Sequence, residues 1–249
     1  MGVQGKLTKD KFGFSMPVNA PLYPKPPYLY KGATMLLFEY VTDPEVASNI
    51  LPAELSVSDS AMAGLVFAHY PWSSLGAYDE VIVYLKAMFQ GREVQYAAYL
   101  YVTTDAAMAA GREMGGYPKK IAKIDIDSGV CFSGRMERPS GIPLCSGVLA
   151  PQFQAPAAVV PIPMTFNYIT LRLIPSPQKD APPTLAELLE TTWTLTKGEA
   201  WVGSGSCSFT GASALDPLHM VPIVKPVASL YITGDMVVEP NPDRKEYAL

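Results

Sequence analysis

The segment Gly111-Arg112-Glu113-Met114-Gly115-Gly116-Tyr117-Pro118-Lys119-Lys120 holds residue types and a spacing from which covalent chemistry can be built. A lysine amine is a nucleophile only when uncharged, and an apolar pocket disfavours its ammonium form. Such an amine adds to a carbonyl, loses water and becomes a protonated imine, which accepts the electrons of a breaking neighbouring bond. Lys119 is the candidate nucleophile. By spacing alone, two adjacent lysines read as a solvated surface pair. On an extended segment, however, Lys119 and Lys120 point to opposite faces, so burial, with Lys120 a lesser contributor, is what would activate Lys119. Asp79 and Glu80 stand before the apolar alternation Val81 to Leu85. A carboxylate beside an imine can carry protons, whereas a solvated acid at a strand start is the plain alternative.

These side chains need elements to hold them. Thr104-Asp105 can cap an alanine-rich helix from about Ala106 to Met114, which Gly115-Gly116 then end. Pro118 biases Tyr117 to extended backbone, and a β-patterned segment follows from Lys119. Two more helices are expected: one capped by Asp43-Pro44-Glu45 and limited by Pro52, and one opening on the capping box Thr184-Leu185-Ala186-Glu187. Strand candidates lie near 33–42, 62–70, 80–89, 93–103, 120–127, 130–137, 144–154, 165–174, 192–201, 205–210 and 227–238. Gln90-Gly91 reads as a hairpin turn between two of them. Val81, Val83 and Leu85, and likewise Leu171 and Leu173 around Arg172, alternate with a period that suits a sheet with one face in a core. Gly203-Ser204-Gly205 reads as a bulge or turn between strands. Residues 1–32 form an arm rich in proline and tyrosine, and 33–249 form a single domain. The fold class is α+β: mostly antiparallel sheet curled into a barrel-like core with a few short helices.

The same motifs carry a family likeness. Gly111-Arg112-Glu113 with Tyr117-Pro118-Lys119-Lys120 resembles the active-site segment of acetoacetate decarboxylases. Ser74-Leu75-Gly76-Ala77-Tyr78-Asp79-Glu80 resembles the family segment with a pocket glutamate. Asn167-Tyr168 with Leu171-Arg172-Leu173-Ile174-Pro175 resembles its late strand, and Glu199-Ala200-Trp201 with Gly203, Pro217-Leu218 and Pro222 its C-terminal part. The resemblance implies an imine-forming Lys119, a proton-carrying Glu80, no cofactor, and a barrel-like core around the pocket. Acetoacetate decarboxylase is itself the known example of a lysine activated by desolvation or a neighbouring cation. Tyr117, Lys120, Glu113 and Arg112 fall in the matched motif and are the implied substrate contacts, although Arg112 and Glu113 also read as fixing the turn.

Two positions depart from the family. Its substrate-receiving arginine falls on Ala33, counted from Pro27-Tyr28, and its second pocket carboxylate falls near Leu65. Both changes make the pocket more apolar, pointing to a substrate that lacks a carboxylate there or is larger and greasier. The function implied is decarboxylation of a β-keto acid through the lysine imine. Aldol, dehydration or cyclisation chemistry on a keto or polyketide-like substrate is the alternative. A non-catalytic barrel holding an apolar small molecule is the rival from another class.

Composition sets the remaining bounds. The chain has 249 residues, 49% hydrophobic and 17% charged, enough for a substantial core. A net charge of −4 without a dense basic stripe argues against nucleic acid. No apolar stretch approaches a membrane span, and Met1 to Phe14 lacks the apolar core of a secretory signal. A cytoplasmic protein is expected. Cys131, Cys145 and Cys207 are too few for a disulfide framework and should pack as small hydrophobes. His69 and His219 are the sole histidines, so no metal site is expected. The arm and the family likeness together point to a homo-oligomer acting on a small keto substrate.

Overall fold

Alternating apolar and β-branched residues give the chain long strands, and hydrogen-bonded pairing organises them into one curled mixed sheet. The computed structural model describes residues 2–158, 160–211, 213–239 and 246–249. The strands are β1 (Tyr28–Val41), β2 (Ser56–Val57), β3 (Met62–Tyr70), β4 (Trp72–Ser73), β5 (Tyr78–Phe89), β6 (Arg92–Val102) and β7 (Lys119–Ile121). They continue with β8 (Lys123–Asp127), β9 (Phe132–Glu137), β10 (Pro143–Gln154), β11 (Met164–Ile174), β12 (Leu185–Phe209), β13 (Lys225–Val238) and β14 (Glu246–Ala248). Two α-helices occur among the described residues, α1 (Pro44–Ser48) and α2 (Asp105–Gly115).

The strand order is β11-β6-β5-β3-β1-β13-β12-β10-β9-β8, and β11 also pairs with β12. The path therefore returns on itself through β12. The N-terminal half of β12, from Leu185 to Leu195, lies against β11, while Trp201 to Phe209 pairs with β10. One long strand thus belongs both to a closed ring and to a three-strand flap of β10, β9 and β8. Pairing is antiparallel throughout except for β6 with β7 and with β11.

Burial sorts the side chains into two cores. Val66, Ala68, Ile82, Tyr84, Leu100 and Met236 belong to one cluster, the interior of the ring. Their neighbours in sequence, Leu65, Phe67, Val81, Val83 and Leu85, belong to the other. That second core lies between the ring and the flap. Glycines let the two layers approach: a Cβ on Gly134 would fall on the Phe67 ring, and one on Gly147 on the Phe38 ring. β3 and β5 are consequently buried on both faces, which corrects the expectation of a one-faced sheet. A strand buried on both sides reads as a continuous apolar run, as Ala63 to Ala68 does. On β11 the expectation also fails, because Leu173 is exposed and Arg172 pairs with Glu187 across to β12.

Most strand positions follow the sequence reading, and so do two of the three helices. Asp43 Oδ1 accepts from the Glu45 and Val46 amides at 3.0 and 3.1 Å and caps α1. Gln90 and Gly91 both take positive φ, 49° and 78°, in the two-residue turn from β5 to β6. The helix expected from Thr184 is instead the start of β12. Its Thr191-Thr192-Trp193-Thr194 run favours strand, and β11, β13 and β14 supply ladder partners that outweigh a four-residue capping signal. At Gly203-Ser204-Gly205 there is no turn, since β12 runs through it, but the register against β10 is irregular there, Pro151 lying opposite Gly203 and Phe153 opposite Val202, and a Cβ at Gly203 would collide with the β10 backbone at Ala150. β1 begins at Tyr28 and so takes in the last five residues of the expected arm. Cys145 is buried and Cys207 half-buried, burial pushing the Cys207 thiol up to about 11, whereas Cys131 is exposed instead of packed. No helix among the described residues is long and apolar enough to cross a membrane.

Candidate active site

Helix α2 and strand β7 deliver Lys119. Gly116 adopts the left-handed conformation, φ 64°, that ends α2, and its amide returns to Arg112 O at 3.3 Å. The carbonyls of the last helical turn are then tied down. Thr170 Oγ1 donates to Gly115 O at 2.6 Å, and Arg172 Nη1 donates to Glu113 O at 3.0 Å. Arg112 Nη1 donates to Lys119 O at 3.2 Å, while β7 lies parallel to β6 with Lys119 opposite Leu100. The backbone at Lys119 is thus held by the helix on one side and the sheet on the other.

The Lys119 side chain crosses α2 at Gly111, where a Cβ would stand 2.5 Å from its Cδ and 2.7 Å from its Cε. Its Nζ ends 2.8 Å from Glu80 Oε1, with the lysine side chain 3% and the glutamate 0% exposed. Glu80 comes from β5, opposite Val102 and Ala68. Three aromatic rings surround Lys119 Nζ: Tyr78, Tyr117 and Trp193, with their centroids at 5.7, 5.8 and 6.0 Å. Tyr117 itself is fixed by Trp193 Nε1, which donates to its hydroxyl at 2.6 Å, and by a further bond to Thr191 Oγ1.

Behind Lys119 the polar inventory is incomplete. Neither Glu80 oxygen has an aligned hydrogen-bond partner among the described residues, and neither has the Tyr70 hydroxyl. Burial first, and then the Glu80 charge, holds that hydroxyl far above the usual phenol range, so it stays protonated. Buried oxygens without an aligned hydrogen bond are costly, and Glu80 Oε1 has the Lys119 amine as its ion-pair partner. In front of Lys119 opens a cavity of about 200 Å³ lined by residues that include Tyr28, Tyr30, Met114, Tyr117, Thr191 and Trp193. Glu190 at its wall is engaged by Arg92 through two bonds of 2.7 Å. Lys119 is the only cation lining this cavity among the described residues. No group of three or more His, Cys, Asp or Glu among the described residues could hold a metal ion.

Of the residues singled out from sequence, Lys119, Glu80 and Tyr117 come together. The others go elsewhere. Lys120 points to the opposite face, 3.1 Å from Asp216 Oδ1, and does not line the cavity. Glu113 accepts from the Tyr23 hydroxyl at 2.5 Å and, with Arg112, fixes the turn. Leu65 belongs to the core under the flap; on β3 its neighbour Val66 faces the interior. Ala33 is buried in the interior core but lines neither cavity of the ring. Sequence reading missed Tyr30, Tyr70, Tyr78, Trp193 and Gly111. Tyr70 and Tyr78 are cross-strand partners bracketing the Trp72-to-Ala77 connection, a pairing visible only once the register of β3 and β5 is known. Gly111 was in the matched motif, yet its role depends on where the lysine side chain runs.

The family model described as Acetoacetate decarboxylase (ADC) matches residues 15–245. The decarboxylase DEC1 of Cochliobolus heterostrophus is 26% identical over 252 residues, covering 95% of this chain and 96% of that protein. Acetoacetate decarboxylase of Clostridium acetobutylicum is 27% identical over 231 residues, 90% of this chain and 91% of that one. Among solved structures, an acetoacetate decarboxylase superposes with a TM-score of 0.87 at 22% identity, covering 97% and 98% of the two chains. The enduracididine biosynthesis enzyme MppR, complexed with pyruvate, superposes at 0.78 and 17% identity over 95% and 97%. At these identities the structural likeness concerns the fold.

Proposed function

Because the chain belongs to the acetoacetate decarboxylase family, whose relatives here are named decarboxylases, we propose that it decarboxylates a β-keto acid through an imine on Lys119. One observation carries this reading: the 2.8 Å approach of Lys119 Nζ to Glu80 Oε1, dry and at the wall of a cavity. Transfer of one proton across that contact leaves a neutral amine beside a neutral acid, with no net charge created in the buried pair. The amine nitrogen attacks the substrate ketone, and Glu80 returns the proton to the carbinolamine oxygen, which leaves as water. The iminium then withdraws the electron pair of the bond to the carboxylate; carbon dioxide departs and an enamine remains. Protonation of the enamine carbon and hydrolysis of the iminium release the ketone and restore the amine. An apolar wall helps, because a carboxylate stripped of water is worse solvated than the charge-dispersed transition state.

A second reading draws on the absence of any cation other than Lys119 along the described cavity wall. A keto compound without a carboxylate at that place would form the same iminium and lose a proton instead, leading to aldol or dehydration chemistry. The structure of MppR holding the condensation product of pyruvate and imidazole 4-carboxaldehyde shares the fold. The deciding experiment is borohydride reduction in the presence of a keto acid, followed by mass spectrometry. A mass increase is expected in the native protein, persisting in Lys120→Met and absent in Lys119→Ala. No adduct in the native protein, or an adduct surviving Lys119→Ala, defeats the imine. Carbon dioxide release then separates the two readings.

A further inference from the structure

The interior of the ring contains a second, smaller void, about 40 Å³, on the other side of Tyr117 and Trp193. These two side chains line both spaces. The remaining wall is mostly aliphatic, with Met35, Val66, Ile82, Leu100, Ile232 and Met236 all buried. The aliphatic part of this lining forfeits dispersion contacts unless something fills the space. Lys119 Nζ sits within 6.0 Å of both partition rings, so a carbonyl carbon bonded to it lies at the junction of the two spaces. The polar requirements of the reaction are met on the cavity side and around Glu80. On the void side the polar groups are the Tyr70, Tyr84 and Tyr168 hydroxyls and the Gln95 amide, none of them a cation that would receive a carboxylate, and Tyr84 already donates to Glu39 at 3.0 Å.

We infer that the void receives an unbranched alkyl chain on the keto carbon, so that the substrate is a 3-oxo acid longer than acetoacetate. This rests on the imine reading above and adds to it the identity of the group on the far side of the carbonyl. The carboxylate-bearing arm occupies the larger cavity and the alkyl tail runs into the void past the hydrogen-bonded pair of Tyr117 and Trp193 that lines both spaces. Each methylene that leaves water for an aliphatic wall raises kcat/KM by about fourfold until the void is full.

The test is a homologous series of acetoacetate, 3-oxohexanoate and 3-oxooctanoate, read both as carbon dioxide release and as borohydride adduct. Expected is a rise in kcat/KM of at least about tenfold from acetoacetate to the preferred homologue. Val66→Phe, which puts bulk into the void, should lower the ratio of long-chain to acetoacetate kcat/KM by about tenfold. Ile232→Ala, which enlarges it, should move the preference to a longer chain, and circular dichroism checks that each variant is folded. A flat series with a Lys119-dependent adduct overturns the tail assignment and leaves the imine standing. An unchanged ratio in folded Val66→Phe, with no shift in Ile232→Ala, overturns it too. No Lys119-dependent adduct with any homologue removes both.

Discussion

At position 111 only a hydrogen atom fits beside the lysine. The Lys119 methylenes lie across α2 there, and a methyl group would sit 2.5 Å from Cδ. The cheap relief is rotation of the flexible lysine away from Glu80, since the helix backbone is fixed by Thr170 and Arg172. Gly111→Ala should therefore keep its fold, because alanine is the better helix former. It should lose about a hundredfold in the rate of adduct formation, since about 1 Å of misplacement is enough to cost that much. Borohydride trapping against time, with thermal melting alongside, measures both. An unchanged trapping rate in a folded protein would mean that the lysine path across the helix is irrelevant. The residue scale also shows what sequence motif matching can deliver. Lys119, Glu80 and Tyr117 were legible because each sits inside a short local segment with a family likeness. Leu65 faces the core under the flap and Val66 the interior, a difference that local sequence does not carry because adjacent strand residues point to opposite faces.

At the scale of elements, β7 has three residues and depends on its surroundings for its orientation. Lys119 faces inward only if Lys120 faces out, and Lys120 is retained there by Asp216. That carboxylate is nearly buried and accepts from Lys120, Arg138 Nε and the Tyr101 hydroxyl, each at 3.1 Å. Burial by itself raises the Asp216 carboxyl, but its bonds to Lys120 and the charges of Lys120 and Arg138 outweigh this and hold it below the usual range. A lowered folded value means stability that is complete above the unfolded aspartate value near 4 and is lost as pH falls through the folded one. Asp216→Asn should cost about 2 kcal/mol at neutral pH. The gap between variant and native protein should close as the pH drops from about 5 toward 2. Urea denaturation across that range measures it, and a gap that widens on acidification would contradict the assignment. Helix α2 and the strands flanking it were legible from the alanine run, the terminating glycines and period, although the expected Thr104 cap makes no side-chain bond. The strand at 185 was not, since its capping box is a local signal and its ladder partners lie on β11 and β13.

For the whole molecule the decisive contact is between ring and flap. Gly134 on β9 lies against the Phe67 ring, and Gly147 on β10 against Phe38. Gly134→Ala inserts a methyl group into that packed seam and should destabilise by about 1–3 kcal/mol, read as a lowered urea midpoint. A variant as stable as the native protein would show that the layers can part without loss. The flap shields the outer faces of β1, β3 and β5, leaving their inner faces free to build the site. Closure of the path through β12 gives that interior its walls on every side, and Trp193, the partition between the two spaces, stands on the same strand.

The sequence by itself determined the chemistry on offer: a lysine set by Gly115-Gly116 and Pro118 at the start of a strand, an acid heading another, and strands enough for one large sheet. Those features are local, encoded in backbone preference and residue type within a few positions. Which face each strand turned inward, which aromatic rings surrounded the amine, and that two spaces share Tyr117 and Trp193 as lining were decided only by tertiary structure. Register between strands distant in the chain fixes them, and a period of two makes both faces read alike when both are buried.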